Sequence, residues 1–213
     1  IRLHSTNPIN LSSLLSGGFA TAAQFELIQE IASSGHSFLI TGATGTGKTT
    51  LLRAMLAETS QRVIAVEDVT ELSGNNVICL QTKPKNIEGV GEITLEDLVR
   101  QALRMRPDRI CIGEVRGQEL LPMLQALNTG HRGCTTLHAN SLEQVPERLL
   151  SIAMQQGMGE QTLSRLAASA FDWVIALGKQ SGKRSVSGIG KFEFIDGKLQ
   201  VISQLRNRKL QLA

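Results

Sequence analysis

Tyrosine is absent from this 213-residue sequence, tryptophan occurs once, and aromatic residues make up only 3% of it. A surface that holds nucleic acid by stacking bases on rings needs such residues at intervals, so that class is disfavoured. Cysteine is scarce too. Cys79, Cys111 and Cys134 are odd in number, far apart and form no C-x-x-C pair. Neither a zinc site nor a disulfide framework is expected, and the simplest expectation is reduced, buried thiols in a cytosolic protein. No apolar run reaches the roughly 18 residues that a membrane span needs, and no secretory leader opens the sequence. A large excess of one charge is also lacking: 22 Lys and Arg against 19 Asp and Glu leave +3, mixed along the chain. So weak a basic balance calls for neither DNA nor an anionic membrane.

What is present suits one large domain with a sizeable core. Hydrophobic residues make up 41% of the sequence, and at this length roughly 70% of the unfolded surface is removed on folding. The chain opens on Ile1 rather than Met, which reads as a piece of a longer protein. Residues 1–20, broken by Asn7-Pro8 and Ser16-Gly17-Gly18, read as an irregular linker, and residues 21–213 as the domain itself.

Within that domain, strand-like and helix-like segments alternate. Helices are expected near Thr21–Ala32, Lys48–Glu58, Thr94–Arg104, Gln118–Asn128, from a Ser141/Gln144 cap to Gln156, and over Gln161–Ala170. Thr94 with Asp97 forms a capping box, and Pro122 is tolerable only in a first turn. Between them, Ser37–Thr41, Arg62–Glu67, Asn76–Thr82, Arg109–Gly113, Gly133–Leu137 and Trp173–Leu177 read as strands. This alternation predicts an α/β fold with a mainly parallel sheet covered by helices on both faces. Asp196-Gly197, flanked by Lys191–Ile195 and Lys198–Ser203, adds an antiparallel C-terminal edge hairpin.

The most specific motif is Gly42-Ala-Thr-Gly-Thr-Gly-Lys48-Thr49, which fits G-x-x-x-x-G-K-[ST] between an expected strand and an expected helix. In such a loop the glycines let successive N–H groups turn onto phosphate oxygens, and the helix start adds its positive end. Gly42, Thr44, Gly45, Thr46 and Gly47 form the cradle, with Thr50 just beyond it. Lys48 is placed to reach the β- and γ-phosphates of ATP, and Thr49 to bind Mg²⁺. The Mg²⁺ needs a carboxylate from another strand end, because ligands of parallel sheets sit beyond the C-terminal ends of the strands. Glu114, after Arg109–Gly113, is read as the residue that polarises the attacking water and stands near the metal. Glu67 is read as holding Mg²⁺ through water or sharing the base role, with Asp68 beside it.

Two histidines, His131 and His138, bracket one short strand. His138 either packs or donates to the γ-phosphate. Among the arginines, Arg116 follows Glu114 and is the one placed to stabilise the transferring phosphoryl group; Arg100, Arg104 and Arg106 read more readily as a solvated helix face.

Four segments in this order resemble the secretion ATPase superfamily, whose members power type II and type IV secretion and the assembly of type IV and tight-adherence (Tad/Flp) pili. They are the P-loop, Glu67–Leu72 (EDVTEL), Arg104–Glu119 (RMRPDRICIGEVRGQE) and Thr129–Ser141 (TGHRGCTTLHANS). The last three are similar to that family's Asp box, Walker B and His box. RMRPDR, GEVRG and KPKNIEGVGEIT (Lys83–Thr94) look closest to the Tad/Flp branch, although Lys83 stands where that branch leads one to expect arginine, and the His131-to-His138 spacing looks more like the type II branch.

The resemblance implies a RecA-like P-loop NTPase domain, the C-terminal half of a subunit whose N-terminal domain lies before residues 1–20. It implies a Mg²⁺-dependent ATPase working as a homo-hexamer at the cytoplasmic face of the inner membrane, with an inner-membrane platform protein of a pilus or secretion system as partner. The interdomain arginines of such subunits would here be missing or reduced to Arg2. By match to the boxes, Glu67, Glu114 and His138 are the functional acidic and histidine residues. A competing reading is a nucleic-acid translocase on the same scaffold, since a P-loop fold alone does not distinguish motors. DNA-stimulated hydrolysis and steeply salt-dependent binding would favour it. A GTP-dependent switch lacks the N-K-x-D sequence that reads guanine.

Overall fold

A computed structural model describes residues 10–180 and 182–206. The first nine residues of the expected linker, Arg2 among them, lie outside the described residues.

The strands are β1 (Phe38–Gly42), β2 (Val63–Glu67), β3 (Val77–Gln81), β4 (Arg109–Ile112), β5 (Arg132–Leu137), β6 (Trp173–Gln180), β7 (Lys183–Ile195) and β8 (Lys198–Arg206). They form one eight-stranded sheet in the order β3-β2-β4-β5-β1-β6-β7-β8. From β3 to β6 every pairing is parallel, whereas β7 and β8 run antiparallel to their neighbours. The expected mixed α/β architecture is therefore observed. β1 lies between β5 and β6, with Ile40 opposite Thr136 on one side and Ile175 on the other.

Alternation along the strands sorts side chains into two cores. Phe38 and Ile40 face α1 (Leu11–Ser16), α2 (Ala22–Ser33) and α3 (Lys48–Ala57). Leu39, Ile64 and Val66 face α4 (Leu95–Ala102), α5 (Leu120–Asn128), α6 (Val145–Met154) and α7 (Glu160–Ala170). Period-two burial on both faces is what a sheet covered on both sides demands. Local signals set several helix ends. Thr94 and Asp97 form the expected capping box on α4, and Pro122 falls in the first turn of α5, where its missing N–H costs nothing. Asp196 and Gly197 both take positive φ, 49° and 84°, as a two-residue hairpin turn of type I′ requires.

Three details depart from expectation. Residues 11–16, expected to be irregular, form α1, because Leu11 finds a fully buried place in the core beneath α2. Ser141 does not cap α6; that helix starts at Val145, with Pro146 in its first turn supplying the pre-set φ. The C-terminal hairpin is also longer than the sequence suggested, because β7 pairs with β6 as well as with β8. All three thiols are free, and Cys111 and Cys134 are buried, but Cys79 is only half-buried, on the more open edge strand β3.

Candidate functional site

β1 ends at Gly42, and the loop to α3 curls back over the strand end. A Cβ on Gly42 would stand 2.6 Å from Thr46 Oγ1 and 2.7 Å from the Leu177 carbonyl oxygen, so no side chain fits there. Gly45 and Gly47 take φ of 78° and 98°, in the left-handed region open to glycine at little cost. Thr46 is buried and donates its hydroxyl hydrogen to the Ala43 carbonyl at 2.8 Å, bracing the loop from inside. α3 then begins at Lys48 with no side-chain cap, and its first-turn N–H groups have no intrahelical partner, the feature by which helix starts can receive anions.

A cavity of about 400 Å³ opens above this loop. Thr44, Gly45, Gly47, Lys48, Thr49 and Thr50 line it from the β1–α3 side. Glu67, Glu114, Arg116 and His138 line it from the ends of β2, β4 and β5. Residues far apart in the chain thus converge as the sequence motifs led one to expect. Gly42 and Thr46 shape the loop from behind and are not among its lining residues. His131 precedes β5 and so lies at the strand end away from the cavity. Arg100 is tied to Glu96 at 2.6 Å, and Arg104 and Arg106 also lie away from the lining.

The charged groups form a connected set. The Lys48 ammonium donates to the carbonyls of Gly42 (2.9 Å) and Ala43 (3.2 Å) and stands 3.3 Å from His138 Nδ1. An ammonium can only donate, so Nδ1 is the acceptor and the ring proton sits on Nε2. That nitrogen stands 3.3 Å from Glu114 Oε1. Burial pushes the Lys48 pKa below its ordinary value, and the nearby Glu114 carboxylate opposes the shift.

Glu67 is placed differently. It is almost fully buried, and its carboxylate accepts from the backbone N–H groups of Glu71 (3.2 Å) and Leu72 (3.1 Å). Burial raises its pKa, while those two hydrogen bonds pull it back. Gly113 makes room for it: a Cβ there would stand 3.0 Å from Glu67 Cγ. Thr49, Glu67, Asp68 and Glu114 line one cavity with hydroxyl and carboxylate groups, oxygen donors of the kind a hard divalent cation takes. Among the described residues, however, no three acidic, histidine or cysteine side chains cluster closely enough to hold a metal ion by themselves.

The Arg116 guanidinium pairs with Asp68, and the Arg116 N–H donates to Glu119 Oε1 at 2.5 Å. Glu119 also accepts from the Gly117 N–H, and so holds the turn after β4 in shape. This residue escaped the sequence reading, as did three cavity residues, Arg53, Thr136 and Arg184. Arg53 was findable, since it lies one helical turn after Thr49 on the same face. Thr136 sits inside the segment read as a His box, and its hydroxyl donates to the Gly113 carbonyl at 2.7 Å. Arg184 had no local signal at all.

The family described as Type II/IV secretion system protein matches residues 1–178. A Mycobacterium tuberculosis (strain H37Rv) protein named for conjugal transfer is 38% identical over 200 residues, covering 91% of this chain and 57% of its own length. The type IV secretion system protein PtlH of Bordetella pertussis is 35% identical over 77% of this chain and 51% of its own. This chain thus spans little more than half the length of these relatives. Among solved structures, the VirB11 ATPase of the Brucella suis type IV secretion system, in complex with sulphate, superposes with a TM-score of 0.70 at 28% identity, covering 85% of this chain and 54% of that one. The pilus retraction motor PilT with bound ADP shares the fold, with a TM-score of 0.65 at 22% identity over 95% of this chain and 56% of that one. With its loop, its strand-end carboxylates and its histidine in the expected places, the chain belongs to the type II/IV secretion system protein family.

Proposed function

We propose that this chain is the ATPase domain of a secretion or pilus motor. It hydrolyses ATP with Mg²⁺ and works within a homo-hexamer at the cytoplasmic face of the inner membrane, against a membrane platform protein. The domain would span residues 21–213 together with α1, whose Leu11 is buried in the same core, and the residues before α1 would lead in from an N-terminal domain. The observation that carries the reading is the Lys48 ammonium at the floor of the cavity, joined through His138 to Glu114. The sulphate complex of VirB11 and the ADP complex of PilT support an anion and nucleotide site on this scaffold. The segments RMRPDR, GEVRG and KPKNIEGVGEIT favour the Tad/Flp branch, while two of the relatives are named for conjugal transfer and type IV secretion.

In this reading the N–H groups of Gly45, Gly47 and the start of α3 hold the phosphate chain, and Thr50 lines its path. Lys48 exchanges its two carbonyl partners for β- and γ-phosphate oxygens. Thr49, with Glu67 and Glu114, would hold Mg²⁺, which supplies positive charge against that building on the phosphoryl oxygens. Glu114 orients and deprotonates the attacking water. His138 keeps the Glu114 carboxylate aimed and senses the γ-phosphate through its link to Lys48. Arg116 adds positive charge once released from Asp68.

The test uses the full-length protein. Lys48→Ala should lose ATP binding. Glu114→Gln should keep binding and lower Mg²⁺-dependent turnover by roughly 100-fold or more, the scale of general-base catalysis. Undiminished turnover in both variants overturns the reading.

A further inference from the structure

The cavity has two flanks. Glu114, Thr136 and His138 come from β4 and β5, on one side of β1. On the other side, beyond β6, β7 contributes a single lining residue, Arg184. Its reach follows from register. Val186 is fully buried in the core that holds α3, and side chains two apart on a strand share a face. Arg184 therefore projects on the α3 face, while Lys183 next to it projects on the other. The contact bears this out: Arg184 Cδ is 3.7 Å from where a Cβ on Gly47 would stand, at the tip of the phosphate loop. Its guanidinium is exposed, and it enters no ion pair among the described residues, whereas Arg116 is held by Asp68 and Arg100 by Glu96.

We propose that Arg184 is a nucleotide-binding residue that grips the α/β-phosphate end of the substrate, reaching it from the hairpin between β6 and β7. This rests on the reading of the cavity as a nucleotide site. Arg184 stands across the loop from the residues that meet the reacting phosphoryl group, so it touches the part of the nucleotide common to ATP and ADP. An interaction equal in the ground state and the transition state changes affinity and not the chemical step. The planar fork of arginine suits bidentate contact with phosphate oxygens, and lysine at the same place would restore charge without the fork.

The experiment titrates the full-length protein with fluorescent ATP and ADP analogues and measures turnover at saturation. Arg184→Ala should weaken both nucleotides by the same factor, roughly tenfold, as expected for a charged hydrogen bond at an exposed site. KM should rise in parallel, with kcat within about twofold. Arg184→Lys should recover part of the affinity. Lys183→Ala removes the same charge from the other face and should leave affinity unchanged. Unaltered affinity in Arg184→Ala overturns the proposal. So does a fall in kcat at constant affinity, which would place the guanidinium at the reacting end, and so does an equal loss in Lys183→Ala, which would reduce the effect to net charge. If wild type binds no nucleotide, or Lys48→Ala binds as wild type does, it is the nucleotide-site reading that has failed, and Arg184 is not at issue.

Discussion

Glu67 and Glu114 end or follow parallel strands that lie side by side, and on sequence grounds both have a place in the site, Glu114 at the attacking water and Glu67 at the metal through water or sharing the base role. The structure gives them opposite surroundings. Glu67 is 5% exposed and spends its oxygens on two backbone N–H groups. The Glu114 side chain is 37% exposed and meets only the imidazole of His138 among the polar contacts described. A strand-end position therefore brings a carboxylate to the crevice, and the next few backbone turns decide whether it is free for chemistry. The turn Asp68–Leu72 curls over Glu67 and ties it down, whereas Glu119 takes up the N–H groups of Arg116 and Gly117 and leaves Glu114 unencumbered.

The sharpest way to break this comparison is to make the same exchange at both positions. With Glu114→Gln costing roughly 100-fold or more in turnover, Glu67→Gln should cost clearly less, because its carboxylate already serves the backbone. Equal losses in ATPase assays would show that Glu67 turns outward when the cavity fills. A second probe crowds Glu67 without replacing it. Gly113→Ala sets a methyl group 3.0 Å from Glu67 Cγ and 3.2 Å from Oε1. Tethered at its head, that side chain cannot simply swing aside, so a stability loss of about 1–3 kcal/mol is expected from urea unfolding. Adding Glu67→Ala should relieve the clash, giving a coupling energy in the double-mutant cycle. Strict additivity would mean that the two residues do not press on one another.

Acidity offers a third probe. Burial lifts the folded-state pKa of Glu67 above the ordinary glutamate value of 4.5. The folded protein then holds that proton more tightly than the unfolded chain does. Stability carried by this group is present below 4.5 and falls as the pH rises through the folded value, where the buried carboxyl must ionise. Glu67→Gln has no such proton. Urea midpoints across this range should show wild type losing ground to the variant as pH rises and then levelling off. A constant gap would contradict the account of a raised pKa.

How much of this was legible in advance depended on whether the signal was local. The β1–α3 loop was plain because its glycines, lysine and threonine are contiguous and their spacing fixes its shape. The capping box at Thr94 and the turn at Asp196-Gly197 were legible for the same reason. Ser141 misled because a good capping residue was outweighed by Pro146, which set the start of α6. Leu11 was hidden because nothing nearby says that a six-residue helix will find cover under α2. Arg184 was beyond reach altogether. It depends on β7 extending back to pair with β6, with a register shift between Ala176 and Leu177, and only that pairing brings it across more than a hundred residues to Gly47.

The smallest expected effect concerns the pair that joins the turns after β2 and β4. Arg116 and Asp68 are 57% and 38% exposed, so solvent screens their attraction and its net worth is about 0–1 kcal/mol. Asp68→Asn removes the charge but keeps an oxygen for the Thr82 hydroxyl, which donates to Asp68 Oδ1 at 3.2 Å. The Arg116 backbone stays anchored on Glu119, so the turn should hold its shape. The unfolding midpoint should therefore barely move. Nucleotide affinity should rise by about two- to fivefold, because a carboxylate has left an anion's cavity and a guanidinium has been released into it. A stability loss above about 2 kcal/mol would be out of scale for an exposed pair and would mean that the two turns are locked together more tightly than their exposure implies. Weaker nucleotide binding would mean that Arg116 needs Asp68 to hold it in a useful place, and the contrast between a tethered and an available group would then extend from the two glutamates to the two arginines.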